Sequence, residues 1–100
     1  MKNHITPIVC AEYNEAEDGY DVEIQLPGAR KEDIDLKVLP GGFMIRAPRA
    51  DTEDTEYIGS YAFCCPVNDE KVDATFDNGL LKAHFRFREP YENATQVAIE

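Results

Sequence analysis

The sequence lacks tryptophan, has only three cysteines and contains no long apolar segment. Because Cys64 and Cys65 are adjacent and Cys10 is distant, the sequence suggests neither a disulfide framework nor the C-x-x-C spacing of zinc sites. No apolar run approaches the roughly 18 residues needed to cross a bilayer, and the N-terminus has no apolar centre typical of a signal peptide. These absences predict a soluble protein with free thiols in the reducing cytoplasm.

Basic residues are also scarce. Ten Lys and Arg against twenty Asp and Glu give a formal net charge of −10. Such a charge repels phosphate backbones and anionic lipid, so we expect neither nucleic acid nor a membrane as a partner. The chain of 100 residues is 43% hydrophobic. That is enough for one domain that buries about two thirds of its unfolded surface.

The residues of a catalytic site are missing as well. An enzyme needs an activated nucleophile, a tuned acid–base pair, a metal or a phosphate cradle. Gly41-Gly42 is too short for a phosphate-binding loop and is interpreted as a turn. His4 and His84 have no ligand spacing, and His84 is expected on the outer face of its strand. We therefore predict no catalytic residue, no metal site and no cofactor.

Cys64 is the one candidate for a reactive side chain. If it is exposed, it could be a redox-responsive thiol, although no basic residue nearby in sequence would lower its pKa. The alternative is a small apolar packing residue.

The sequence does contain a clear hairpin between Val72 and Phe87. Apolar and polar residues alternate on both sides of Asn78-Gly79. This period of two residues is typical of a strand with one solvent-exposed face. This dipeptide most readily takes the two consecutive positive φ angles of a type I′ turn. The pattern predicts two antiparallel strands with a fixed register.

Alternation elsewhere predicts five more strands, at Ile8–Tyr13, Tyr20–Leu26, Ile34–Val38, Phe43–Ala47 and Tyr57–Cys65. On the last of these, the pattern places Cys65 on the inner, aromatic face and Cys64 on the outer face. Residues 1–7 are expected to be a polar lead, and Pro48–Glu56 an acidic loop. Seven short strands without a helix predict an all-β fold, an antiparallel β-sandwich.

Several ordered motifs resemble those of the small heat-shock protein (α-crystallin) family. Ala74-x-x-x-Asn78-Gly79-Leu80-Leu81 resembles its Ala-x-x-x-Asn-Gly-Val-Leu signature. The segment from Leu26 to Ile34 matches its Leu-Pro-Gly-x-x-Lys-Glu-Asp-Ile pattern. Further similarities, in order, are Thr6-Pro7-Ile8, Phe43-x-Ile45, Phe63-x-Cys65-Pro66 and Val97-x-Ile99. The resemblance implies an immunoglobulin-like α-crystallin domain over residues 8–87, with the lead at residues 1–7 and a tail at residues 88–100.

The resemblance also implies a function. Members of the family are ATP-independent chaperones that hold partly unfolded client proteins, and a groove along one sheet edge accepts an Ile-x-Ile segment by strand addition. Carried over, the groove lies between Phe43–Ala47 and Val72–Phe76. The implied residues are Ile45, Ala74 and Phe76 for the groove, Val97 and Ile99 for a C-terminal anchor, and Asn78, Gly79 and Leu81 for the signature turn.

Each of these assignments has an alternative. The three groove residues fit ordinary core positions equally well, and a frayed terminus would also explain the exposed end of the tail. The alternative function is a non-enzymatic interaction module, similar to the CS-domain co-chaperones, that binds one folded partner. The tryptophan signature of the main co-chaperone group is absent. A thiol-based redox protein is a third possibility.

The sequence also departs from the family pattern in ways that bear on assembly. The lead is short, and the loop between Ala47 and Tyr57 is shorter than in bacterial, archaeal and plant members. In those proteins the loop carries a strand that is exchanged between dimer partners. We therefore expect a monomer or a dimer, with contact between tail and groove possible, and no large shell.

Overall fold

The computed structural model describes residues 3–88 and 95–100. It contains eight strands: β1 (Asn3–Ile5), β2 (Ile8–Asn14), β3 (Gly19–Gln25), β4 (Asp35–Leu39), β5 (Gly42–Pro48), β6 (Thr55–Ala62), β7 (Val67–Asp77) and β8 (Leu80–Phe87). A single 3-10 turn, Lys31–Asp33, precedes β4. Within the described residues, no helix has the length and apolar character needed to cross a membrane.

The strands form two four-stranded sheets. The order is β1-β6-β5-β4 in one, which we call the β5 sheet, and β2-β3-β8-β7 in the other, the β8 sheet. All strand pairs are antiparallel except β1 with β6, which are parallel. The predicted all-β sandwich is confirmed, with one strand more than expected. The extra strand, β1, lies in the predicted polar lead.

The core lies between the two sheets and consists of the alternating residues on their facing surfaces. In the β8 sheet, Ile24 pairs with Leu81 and Val22 with Ala83, and all four side chains are buried. Phe85 is fully buried, and its ring centroid lies 5.5 Å from that of Phe43 on the other sheet. This packing joins the sheets through apolar contact and accounts for the period-two pattern of the sequence.

The predicted hairpin is confirmed in detail. Asp77 pairs with Leu80, and the two residues between them have positive φ angles, 49° at Asn78 and 80° at Gly79. The preceding strand is longer than expected, because β7 begins at Val67 and continues past an irregularity in register before Val72.

The prediction for the two adjacent cysteines is wrong. Strand β6 begins two residues earlier than predicted and ends at Ala62, so Cys64 and Cys65 follow the strand. Both are exposed. Alternation places neighbours on opposite faces only inside a strand, and these two residues lie in the connection to β7.

Candidate protein-binding groove

Strands β4 and β7 are the outermost strands of the two sheets on the same side of the sandwich, and they contact each other there. The predicted groove has Phe43–Ala47 as one wall, but these residues belong to β5, which pairs with both β4 and β6. The β4–β5 hairpin therefore places one further strand outside the predicted wall. The accessible edge of the β5 sheet on this side is β4.

The inner face of β7 is incompletely covered. Ala74 pairs with Ala83 and Phe76 with Leu81, and both partners are buried in the core. On β7 itself, however, Phe76 is half-buried and Ala74 is exposed. The structure thus brings Ala74 and Phe76 together, two positions apart on one face of a sheet edge. Their exposure follows from the edge position, since β7 has a neighbour on one side only.

Strand β4 faces this edge with similar residues. Leu36 pairs with Ile45 and Val38 with Phe43, so both β4 side chains lie on the inner face, where they are half-buried. Ile45 itself is only 1% exposed. It occupies the core position that the sequence left open as an alternative, and Leu36 takes the position nearer the edge. We call the boundary between β4 and β7, where these incompletely covered apolar side chains lie, the cleft.

The predicted anchor residues lie outside this core. Val97 is 70% exposed and Ile99 is 96% exposed, and residues 95–100 form no strand. Part of the predicted tail, residues 89–94, falls outside the described residues. In this structure the apolar pair is therefore not covered by the sandwich.

A buried carboxylate lies on β6, the strand next to the opposite edge of the β5 sheet. Glu56 is 2% exposed, although the sequence pattern places it in a loop. Arg46 Nε donates a hydrogen bond of 2.9 Å to its Oε2, and His4 Nε2 lies 3.1 Å from its Oε1. A buried charge requires such partners. The His4 contact accompanies the pairing of β1 with β6.

A second ionic cluster lies on the outer face of the β8 sheet, where His84 was expected. His84 Nδ1 is 2.7 Å from Asp21 Oδ1, and Nε2 is 3.3 Å from Glu17 Oε2. The hydrogen bond from His84, assisted by one from Asn14, lowers the pKa of Asp21. These three residues offer donor atoms within 4.8 Å of one another, of types that bind metal. Each carboxylate contacts a different ring nitrogen, but only the contact of Nδ1 with Asp21 is a hydrogen bond. The buried Nε2 has no hydrogen-bond partner among the described residues, although Glu17 lies within ion-pair distance of it.

Comparison with known proteins identifies the domain. The model of the Hsp20/alpha crystallin family matches residues 12–100. The chain belongs to this family. Small heat shock protein C2 of Rickettsia felis is 26% identical over 81 residues, which are 68% of this chain and 53% of that protein. The chain thus spans about half the length of this curated relative.

Solved structures of Hsp20-type proteins show the same fold. Heat shock protein 16.0 from Schizosaccharomyces pombe has a TM-score of 0.78 at 19% identity, over 97% of this chain and 77% of that chain. The hspA protein from Xanthomonas axonopodis has a TM-score of 0.71 at 18% identity, over 84% of this chain and 95% of that chain. Identities this low show the architecture alone.

Two Hsp20 sequence motifs meet in the structure. The Leu26 amide donates a 2.7 Å hydrogen bond to the carbonyl of Gly79, so the Leu-Pro-Gly segment is bonded to the signature turn. Tyr57 Oη donates a 2.7 Å hydrogen bond to the carbonyl of Pro27. Leu81 follows the turn and is 4% exposed in the core. These contacts give Gly79 and Leu81 a structural position, at the turn end of the β7–β8 hairpin.

Proposed function

We propose that the protein is an ATP-independent chaperone that holds partly unfolded proteins in the cleft between β4 and β7. The observation that carries the proposal is the incomplete burial of apolar residues on these two edge strands. Strands β4 and β7 lie on the same side of the sandwich, and their inward-facing apolar residues are half-buried or exposed. Membership of the Hsp20 family supports a chaperone role and gives no reason to expect catalysis.

The edge strands determine how such a cleft would bind. The outer edge of β7 pairs with no other strand of the described residues, so its backbone can accept an added strand. An extended client segment would pair with this backbone and direct every second side chain into the cleft, over Ala74 and beside Phe76 and Leu36. Binding of this kind selects segments with apolar side chains at alternate positions, and it requires no nucleotide.

The C-terminal segment of the chain could bind such a cleft by the same strand addition. Val97 and Ile99 are two positions apart, so in an extended segment they point to the same side. We therefore propose that this segment is an anchor for the cleft of a second copy. Self-association follows from that contact, and we expect the assembly to be small.

A matched pair of charge substitutions on β7 tests the cleft. Ala74→Glu places a carboxylate on the exposed inner face, where it would be desolvated by a bound client. About fivefold more protein should then be needed to suppress the aggregation of a heated client enzyme. Thr75→Glu adds the same charge one residue away on the outer face, and it should protect like the wild type. The measurement is light scattering at near-stoichiometric ratios.

Two results would contradict the proposal. One is equal protection by both variants and the wild type. The other is a folded wild-type protein that protects no client. Capture of one folded partner in stoichiometric amount, without protection of clients, would favour the interaction-module alternative.

Substitution of the two tail residues tests the anchor. The double variant Val97→Ser, Ile99→Ser should lower the average mass in multi-angle light scattering or increase the binding of an apolar dye to the vacated cleft. The control is Gln96→Ser with Ala98→Ser, which changes the positions that face the other way. An unchanged mass and unchanged dye binding in the first variant would disprove the anchor.

A further inference from the structure

Cys64 and Cys65 lie in the connection between β6 and β7, beside the phenol of Tyr20. Their sulfur atoms are 3.5 Å apart, and Tyr20 Oη is 2.9 Å from Cys64 Sγ. Both cysteines are exposed. We propose that they form a peroxide-sensitive dithiol, in which a hydroperoxide oxidises Cys64 and Cys65 then closes a vicinal disulfide. This modification is independent of the proposed chaperone function.

The backbone around the pair allows the closure. The Phe63 amide donates to the carbonyl of Gly41 at 2.9 Å, and the Val67 amide donates to the carbonyl of Pro40 at 2.8 Å. These bonds fix the chain on either side of the two cysteines. Cys64 and Cys65 themselves lie between the ends of two strands, so the peptide that joins them can reorient without opening a strand pair.

The hydroxyl of Tyr20 is held in place by its ring. The ring stacks on Phe63 with centroids 4.9 Å apart, and it contacts Phe87 edge-on at 5.0 Å. This packing directs the hydroxyl at Cys64, where it can donate to a thiolate. The hydrogen bond from Tyr20 lowers the pKa of Cys64, and a weaker contribution comes from Cys65. The thiolate is the reactive form of cysteine.

The second thiol is arranged to react later. The hydrogen bond to Cys64 and the charge of Cys64 raise the pKa of Cys65. Repulsion between two neighbouring thiolates disfavours the loss of both protons. Cys64 therefore loses its proton first, and Cys65 remains a thiol. The bond to Cys64 also raises the pKa of Tyr20, so the phenol keeps its proton and can donate when Cys64 is the thiolate. An accessible thiol of lowered pKa beside a second cysteine that can resolve it resembles the arrangement of redox-sensor sites.

The reaction balances with a hydroperoxide as the oxidant. The Cys64 thiolate attacks one peroxide oxygen, the O–O bond breaks, and the departing hydroxide or alkoxide takes a proton from solvent. Cys64 is now a sulfenic acid. Cys65 then loses its proton and attacks the Cys64 sulfur, so that an S–S bond forms and the S–O bond breaks. The hydroxide leaves as water, and two thiols have been oxidised by one peroxide.

Such a disulfide would be readily reversed. Adjacent α-carbons are about 3.8 Å apart across a trans peptide, whereas those of ordinary disulfides are about 4.4–6.8 Å apart. The ring formed by neighbouring cysteines is therefore strained, and strained disulfides are the easily reduced ones. A dithiol reductant should restore both thiols.

Peroxide treatment followed by thiol alkylation and peptide mapping tests the proposal. After a limiting dose of hydrogen peroxide, the peptide with Cys64 and Cys65 should have lost two hydrogen atoms and resist alkylation, while Cys10 is still alkylated. Cys10, which is exposed on β2, provides the internal control. The variant Cys10→Ser should behave like the wild type, and Cys64→Ser should not form the disulfide.

Two further variants assign the roles. Cys65→Ser should accumulate a sulfenic acid at Cys64 that dimedone traps. Tyr20→Phe keeps the aromatic packing but removes the donor, so oxidation of Cys64 at neutral pH should be roughly fivefold slower. Oxidation of Cys10 as fast as Cys64 in the wild type would overturn the proposal, as would disulfides only between chains or a Cys65→Ser protein without a dimedone adduct.

Discussion

Replacement of Phe85 by alanine is expected to lower the free energy of unfolding by about 3–5 kcal/mol. Phe85 is fully buried on β8, and it pairs with Tyr20 on one side and Val72 on the other. Its ring centroid lies 5.5 Å from that of Phe43 and 5.0 Å from that of Phe63. Truncation would leave a cavity between two sheets whose backbones are fixed by hydrogen bonds, so the site cannot collapse.

Urea unfolding followed by circular dichroism measures this loss. Ile8→Ala is the control, because Ile8 is 64% exposed on β2 and its truncation should cost less than about 1 kcal/mol. A loss for Phe85→Ala no larger than that of the control would contradict the predicted core. If Phe85→Ala does not fold, the milder Phe85→Leu should still fold and lose about 1–2 kcal/mol.

Replacement of Gly42 by alanine is expected to lower the free energy of unfolding by about 3 kcal/mol, although it adds a single methyl group. A Cβ at Gly42 would lie 2.2 Å from the carbonyl oxygen of Tyr61 and 3.2 Å from the α-carbon of Ala62. Both are backbone atoms of β6, and Gly42 is paired with Ala62 in the β5–β6 ladder. The methyl group can be accommodated only if the two strands separate at this end.

The neighbouring Gly41 provides the matched control. A Cβ at Gly41 would have no other atom within 4 Å. The free energy of unfolding of Gly41→Ala should therefore lie within about 0.5 kcal/mol of the wild-type value. It should be slightly higher if the restriction of the unfolded chain by alanine dominates. Thermal unfolding of the two variants side by side is the measurement. Similar midpoints for both would show that β5 and β6 are not as close as the structure places them.

The sequence predicts the features that depend on local pattern. The turn at Asn78-Gly79 follows from the φ angles that these two residues tolerate, and the register of β7 with β8 follows from the turn. The sheet faces follow from alternation, because one face of each strand must be buried. The family motifs then indicate the sandwich, which the structure confirms.

Features that depend on distant pairing are not visible in the pattern. Strand β1 is three residues long and polar at two of them, and it is ordered by β6 and by the contact of His4 with Glu56. The burial of Glu56 depends on Arg46, which lies across the β5–β6 ladder. The groove was assigned to Phe43–Ala47 from the family resemblance, yet which strand forms the edge depends on the strand order of the sheet. The contact of Tyr20 with Cys64 likewise joins residues 44 positions apart.

The pairing of β3 with β8 has a consequence for the synthesis of the protein. Asp21 lies beside His84, which is 63 residues later in the chain. Every residue of β3 pairs with β8, so this side of β3 can form its strand pairing only after β8 has been synthesised. Long-range pairing of this kind slows folding. On the ribosome, the edge of β3 that pairs with β8 must stay unpaired until β8 has left the exit tunnel. During translation, the nascent protein is therefore in the same condition as the clients it is proposed to protect.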